Sequence, residues 1–364
     1  MIPWMQRAFE LQDPQHARLL PMEGLRGLAV TLVFLQHYTV QSQLIGLQDG
    51  PAAWFSQIFR TYGNYGVELF FVLSGYLIYG TLVRNNPQFG RFIFRRAQRI
   101  YPAFLVVFSV ALAIALVTRD TAKIPSDPWK SAALISANVL LLPGLFPIGR
   151  IVEVAWSLSY EMFFYFVTAA FVLGAKMHAR PTSVRVGALS VITAVFLVAS
   201  CGNIPNFPIR MMPFFAGMLL AEGLGSGLPP WTGWVIPVTA FAASAMMHLP
   251  PIGGEFAQTI AFFSLLTVCL SERGAVSRAM SWTPLRWIGN MSYSYYLVHG
   301  FIVRLFMLAI SKFLPHGMPS LLFWILLPTL YATTLVSSSV LFIAIERPIS
   351  LRPSGFGAPK TASV

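Results

Sequence analysis

The sequence predicts an all-α integral membrane protein, about ten transmembrane helices in one bundle with both termini cytoplasmic. Three observations carry that expectation. Only 10% of the 364 residues are charged and 56% are hydrophobic, and the mean hydropathy lies well above zero, a composition that soluble domains do not show. Apolar stretches of about 17 to 25 residues recur along the chain, each long enough to cross roughly 30 Å of hydrocarbon as a helix. The basic residues concentrate in alternate loops, as cytoplasmic segments do.

In chain order the expected spans are 24–46, 65–83, 100–118, 156–174, 186–201, 207–221, 232–248, 255–270, 290–310 and 320–345. The ambiguous stretch is 131–146, SAALISANVLLLPGLF, which is apolar but runs into Pro143, Gly144 and Pro147. Charge arbitrates. Kept outside as a short interfacial or re-entrant piece, it leaves Arg7 and Arg18, then Arg84, Arg91, Arg95, Arg96 and Arg99, then Lys176, Arg180 and Arg185 on the inner side. Arg273, Arg278, Arg286, Arg347, Arg352 and Lys360 join them there, while Arg60, Arg119, Lys123, Lys130 and Lys312 lie outside. Counted as a span, it would carry the Lys176–Arg185 loop outside, against the positive-inside rule. The expected organisation is a cytoplasmic segment 1–23, one membrane domain 24–346 and a cytoplasmic tail 347–364.

Residues 1–23 carry Arg7, Asp13, Pro14, His16, Arg18 and Glu23, and no small-residue cleavage site ends the first apolar run, so no removable signal peptide is expected. Cys201 and Cys269 fall on opposite faces in this topology and are not expected to pair. The net charge of +12 is divided among cytoplasmic loops, which suits anionic membrane lipids and not nucleic acid.

An ionisable side chain inside a bilayer is costly and turns toward protein or a water-filled cavity. With Arg26 at the inner boundary of LRGLAVTLVFLQHYTV, His37 sits about 16 Å deeper, at about 1.5 Å per residue. His299, in NMSYSYYLVHG, reaches a similar depth counted from Gly289. Glu68 and Ser74 lie in YGVELFFVLSGYLIYG, Glu161 in WSLSYEMFFYF, and Arg304 deeper than snorkelling accommodates. Each has a structural reading: His37 as a packing histidine, Arg26 as a headgroup anchor, the arginines from 84 to 99 as orientation signals. Likewise Ser74 and Gly75 serve close helix packing, Glu161 pairs with Arg150 or Arg210, and Glu346 with Arg347. The histidines at 16, 37, 178, 248, 299 and 316 show no metal-ligand spacing, and no nucleotide loop, nucleophile elbow or zinc motif is present.

Taken together, these residues resemble the membrane-bound acyltransferase-3 family, of bacterial polysaccharide O-acetyltransferase type. A basic residue, ten positions and a histidine match Arg26 and His37 in RGLAVTLVFLQH. The second-span signature looks like ELFFVLSGYLI, and the cytoplasmic Arg-x-x-Arg looks like Arg96 and Arg99 in RRAQRIYP. WSLSYEMFFY carries Trp156, Ser157 and Glu161, and SYSYYLVH and ERP at 346–348 fit the late motifs. The matches run in order from residue 23 to residue 348. Some members carry a fused periplasmic esterase-like domain; this chain is expected to lack one and to handle its acceptor in the membrane domain or through a partner.

The resemblance implies a multi-pass enzyme of the bacterial inner membrane that moves an acetyl or other short acyl group from cytoplasmic acyl-CoA to a hydroxyl of a glycan, oligosaccharide or glycolipid. The CoA ester is a co-substrate, and no permanently bound cofactor or metal is expected. Guanidinium forks match phosphate oxygens, so Arg96 and Arg99, assisted by Arg95, are the expected CoA clamp. His37 suits a general base or a covalent acyl relay. Glu161 would orient an imidazole or bind the acceptor, and Arg26 would draw in the donor or stabilise an oxyanion. Ser74, Trp156, Ser157, His299 and Glu346 are supporting candidates. A cavity reaching mid-membrane from both faces, with His37 between, would join an inner donor to an outer acceptor. Two rivals use other physics: a proton-coupled transporter with the same buried groups, against which no internal duplication is found, and an inactive assembly subunit, which needs no ionisable residue at mid-bilayer.

Overall fold

The computed structural model describes residues 3–10, 20–46, 50–121, 123–201, 209–223, 229, 231–246, 251–271, 274–314 and 320–351. Among them there is no strand. The helices are α1 (Pro3–Phe9), α2 (Leu20–Ser42), α3 (Gly50–Tyr62), α4 (Tyr65–Asn85), α5 (Phe89–Val117), α6 (Pro128–Val139) and α7 (Ala155–Gly174). They continue as α8 (Thr182–Cys201), α9 (Met212–Ala221), α10 (Thr232–Met246), α11 (Pro251–Leu270), α12 (Gly274–Met280), α13 (Thr283–Asn290), α14 (Ser292–Ser311) and α15 (Ser320–Leu341). Beyond α15 the helix widens into a π-helical stretch, Phe342–Ser350.

Among the described residues, six helical segments are long and apolar enough to cross a membrane, and a seventh is obtained if the bent pair α11–α12 is taken as one span. The first expected span is the helix α2, but Arg26, Gln36, His37 and Gln41 make it too polar to face lipid all round. It lies instead in the middle of the bundle, packed by α3, α4, α11, α12, α13 and α14. The expected spans 207–221 and 232–248 correspond to helices of 10 and 15 residues, below the roughly 20 that cross hydrocarbon unaided. Parts of both, 207–208 and 247–248, lie outside the described residues, as do His16, His248, His316 and the side chain of Cys201. Cys269 is a buried free thiol.

Besides the short helices α1, α12 and α13, which no expected span covered, α3 and α5 differ from expectation for local reasons. α3 was not foreseen; its apolar residues are interrupted by Gln57 and Arg60, so no long hydrophobic run announces it. α5 begins at Phe89 and not near residue 100, because after Gly90 in its first turn no glycine or proline precedes Ile100, and the interior Pro102 is tolerated. Arg91, Arg95, Arg96 and Arg99 therefore ride on the helix itself. The stretch 131–146 forms α6, whose 12 residues cover only about 18 Å, and then an irregular loop.

Several loop cations prove to be pinned. Arg286 is buried and pairs with Glu23 at 2.9 Å and Glu10 at 3.0 Å, joining α13 to α2 and to the segment after α1. Arg185 grips Glu222 through both oxygens at 2.6 and 2.7 Å, and Tyr79 donates to the same carboxylate at 2.5 Å.

Between apolar helices in lipid, close packing replaces the hydrophobic effect as the driving force. α4 and α9 meet backbone to backbone through Gly75 and Gly217: a Cβ at either would stand 2.1 Å from a carbonyl oxygen, of Phe214 or Val72 respectively. This contact sets the position of Ser74, next in line to Gly75. Gly75→Leu and Gly217→Leu are each expected to abolish a monodisperse folded peak in detergent chromatography; a normal peak with an unchanged thermal midpoint would contradict the packing described.

Candidate active site

A cavity of about 320 Å³ opens among α2, α4, α5, α7 and α14, and Arg26, Ser74, Arg96, Arg99, Ser157 and Glu161 all line it. Along α4 its lining runs from Val67 to Thr81, about 21 Å of helix. The two α5 arginines are three positions apart and so share a helix face. The guanidinium of Arg96 rests against the rings of Phe92 and Tyr165, 5.2 and 5.7 Å from their centroids, a cation–π cradle. Arg95 is exposed and lies outside the lining. Its Cβ is turned by about 100° from that of Arg96, one helical step.

Arg26 donates through Nε and Nη2 to the Ser292 hydroxyl at 3.2 and 3.0 Å, which fixes the guanidinium at the start of α14. Glu161 accepts from Tyr165, one turn along α7, and from Ser74 at 3.5 Å. It is within electrostatic range of Arg26 and Arg96, so the carboxylate offsets part of the cavity's positive charge. The alternative partners Arg150 and Arg210 line a different cavity. Ser157 shares a hydrogen bond of 2.7 Å with Tyr296.

Glu346 does not line the cavity and does not form a simple interfacial pair with Arg347. Fully buried, it accepts from the Ser294 amide at 3.0 Å and the Ser294 hydroxyl at 2.6 Å. Ser294 is the third residue of α14, where amides have no intrahelical acceptor, so the carboxylate caps this helix from a distant part of the chain and meets its positive dipole end. Arg26 and Arg99 are within its electrostatic range. Tyr293 beside it donates to the Ile100 carbonyl at 2.6 Å, tying α14 to the arginine-bearing helix.

His37 and His299 stand side by side, ring centroids 4.9 Å apart and edge to face, and neither lines the cavity. The Nδ1 of His299 lies 3.0 Å from the Tyr295 carbonyl oxygen. A carbonyl only accepts, so Nδ1 carries the proton, and in the neutral ring Nε2 keeps its lone pair. That Nε2 is buried with no hydrogen-bond partner among the described residues. The Tyr296 ring, which does line the cavity, stands 5.8 Å from the His299 ring. Contact therefore runs from the cavity through Tyr296 and His299 to His37. Arg304, puzzlingly deep by sequence, approaches Glu153 at 3.7 Å, and Glu153 acts electrostatically on His37.

Trp156 does not share the cavity of its neighbour Ser157. With Gln36 and Tyr160 it lines a second cavity of about 600 Å³. The first turns of α7 thus form a wall, Ser157 and Glu161 on one side, Trp156 and Tyr160 on the other. Tyr165, Ser292, Tyr293 and Tyr296 complete the first cavity and were not singled out from sequence. Only Tyr165 carried a local signal, one turn after Glu161.

Residues 21–343 match a family model described as an acyltransferase domain. Acyltransferase MdmB of Streptomyces mycarofaciens is 27% identical over 323 residues, 80% of this chain and 80% of its own. The exopolysaccharide production protein ExoZ of Rhizobium meliloti is 26% identical over 311 residues, 80% of this chain and 91% of its own. The peptidoglycan O-acetyltransferase OatA of Listeria monocytogenes is 25% identical over 375 residues, 92% of this chain but 56% of its own. No solved structure matches significantly.

The capping role assigned to Glu346 is open to measurement. Glu346→Ala strips both Ser294 donors of their acceptor, at a cost of about 1–3 kcal/mol, whereas Glu346→Gln keeps one accepting oxygen. The thermal midpoint of the purified protein is expected to fall for both, and further for alanine; equal midpoints for all three proteins would exclude the cap.

Proposed function

The chain belongs to the acyltransferase-3 family, and on that premise we propose that it carries an acetyl or other short acyl group from cytoplasmic acyl-CoA to a hydroxyl of a glycan or glycolipid. The observation that carries this reading is the convergence of Arg26, Arg96 and Arg99 with Ser74 and Glu161 in one cavity of the bundle. Three guanidinium groups facing one space suit a donor rich in phosphate. The relatives ExoZ and OatA, named for exopolysaccharide production and peptidoglycan O-acetylation, favour a glycan acceptor.

In this reading the chain crosses the bacterial inner membrane ten times, through α2, α4, α5, α7 to α11, α14 and α15, the short α9 and α10 included. The arginines of α5 and both termini face the cytoplasm, residues 24–346 form the membrane domain, and 347–364 the tail. The donor's phosphates rest on Arg96 and Arg99, and Arg26 faces the thioester, where it stabilises the oxyanion of the tetrahedral intermediate.

A thioester is already activated, so the remaining task is to deliver a nucleophile without its proton. The acceptor oxygen attacks the thioester carbonyl carbon while His37 takes the hydroxyl proton. The intermediate then expels CoA as a thiolate, which recovers that proton from His37, leaving an oxygen ester. In a relay variant His37 itself attacks first, releasing CoA thiol and forming an acyl-imidazole that the acceptor hydroxyl then opens. His299 serves either version as a positioning residue: its own ring is fixed by Tyr295 and it packs against His37.

Purified protein in nanodiscs, given radiolabelled acetyl-CoA and surface polysaccharide, is expected to label the polysaccharide. His37→Ala should lower the rate by about 100-fold or more. Arg96→Ala combined with Arg99→Ala should instead raise the KM for acetyl-CoA about 10-fold or more, since each charge-assisted contact is worth about 1.5–3 kcal/mol. Undiminished transfer by folded His37→Ala protein would refute the assignment.

A further inference from the structure

The second cavity lies beyond the wall formed by α7, and no part of the donor reading uses it. Its lining includes Arg60 at the end of α3, Arg150 in the loop before α7 and Arg210 ahead of α9. Among the described residues no aspartate or glutamate lines it, and none of its three arginines forms an ion pair. Three like charges around one space repel unless an anion joins them.

The cavity is also built. Asn138 of α6, itself buried, donates to the Gly149 carbonyl at 2.9 Å and accepts from the Ile151 amide at 3.0 Å, holding the residues that flank Arg150. The Gly144 amide donates to the Ser159 hydroxyl at 3.1 Å. A Cβ on Gly144 would stand 2.0 Å from the Trp156 carbonyl oxygen, so the loop lies flat on α7 only with glycine there. The guanidinium of Arg210 stacks on Trp156, 4.5 Å from the ring centroid, and its Nη1 is buried with no hydrogen-bond partner among the described residues. A guanidinium held in place with an unused donor is preorganised for an anion.

Location gives the site its meaning. On α2, Gln36 of this cavity lies ten positions beyond Arg26 of the donor cavity, about 15 Å along the helix, and His37 is the next residue. We propose that this cavity is the acceptor subsite and that it selects an acidic glycan, a sugar bearing a carboxylate or phosphate whose anion is shared by Arg60, Arg150 and Arg210. Trp156 and Tyr160 supply the aromatic surface that carbohydrate rings pack against. The inference rests on the acyl-transfer reading and adds the substrate class to it.

The test is equilibrium binding to the full-length protein in nanodiscs. The probes are an oligogalacturonide, glucose 1-phosphate, a neutral glucan oligosaccharide of matched length, inorganic phosphate and, separately, acetyl-CoA. The oligogalacturonide or glucose 1-phosphate is expected to bind at least 10-fold more tightly than the neutral oligosaccharide. That preference should weaken with salt and fall at least 10-fold in Arg150→Gln combined with Arg210→Gln, with Arg210→Lys, which keeps the charge, falling less. Which of the two sugars binds tells carboxylate from phosphate. Equal binding of neutral and acidic sugars, or an acidic preference untouched by the substitutions, would overturn the proposal. So would inorganic phosphate binding as tightly as either acidic sugar. Absence of acetyl-CoA binding to the unaltered protein would instead count against the acyl-transfer reading on which it rests.

Discussion

The structure is organised by the cost of holding charge where there is little water. Arg26, Arg96, Arg99, Glu161 and Glu346 sit on helices that would otherwise be free to face lipid, and each is turned into the bundle. Once there, every one needs a counter-charge or a hydrogen bond, and partners come from other helices, Ser292 for Arg26, Ser74 for Glu161 and Ser294 for Glu346, with Tyr165 of the same helix also donating to Glu161. The same contacts that make the charges tolerable lock α2, α4, α5, α7 and α14 around a polar interior. The polar cavity and the specificity of helix packing thus have one physical cause.

That interior is divided. α2 runs from Arg26 in one cavity to Gln36 in the other, and α7 presents Ser157 and Glu161 to the first and Trp156 and Tyr160 to the second. His37 and His299 line neither cavity; His299 meets Tyr296 of the first and packs against His37, which follows Gln36 of the second in sequence. In the acyl-transfer reading proposed above, a donor and an acceptor that do not cross the membrane would each enter from its own face of this divided interior, and only the small acyl group would pass the imidazoles.

Much of this was legible wherever one helix sufficed to express it. Rise per residue alone set His37 and His299 at one depth, and their rings now stand 4.9 Å apart. The three-residue spacing of Arg96 and Arg99 put both on one face. What stayed hidden needed distant partners. Glu346 read either as half of an interfacial pair or as a supporting site residue, because nothing local shows that it caps a helix more than fifty residues upstream. Arg60, Arg150 and Arg210 come from three unrelated loops or helix ends, and only the tertiary fold gathers them. Trp156 was grouped with Ser157 as neighbours in a motif, although one helical step turns them toward different cavities. The polar composition of α2, which foretold a site, also hid how the helix would pack, since it stands at the centre of the bundle and not against lipid.

The central claim is a matter of where the donor lies. An experimental structure of the protein with the non-transferable thioether analogue of acetyl-CoA would test it most directly. Phosphate density is expected within hydrogen-bond distance of Arg96 and Arg99, with the acyl carbonyl running past Arg26 toward His37. Phosphates seated instead among Arg60, Arg150 and Arg210, or an acyl end remote from His37, would contradict it.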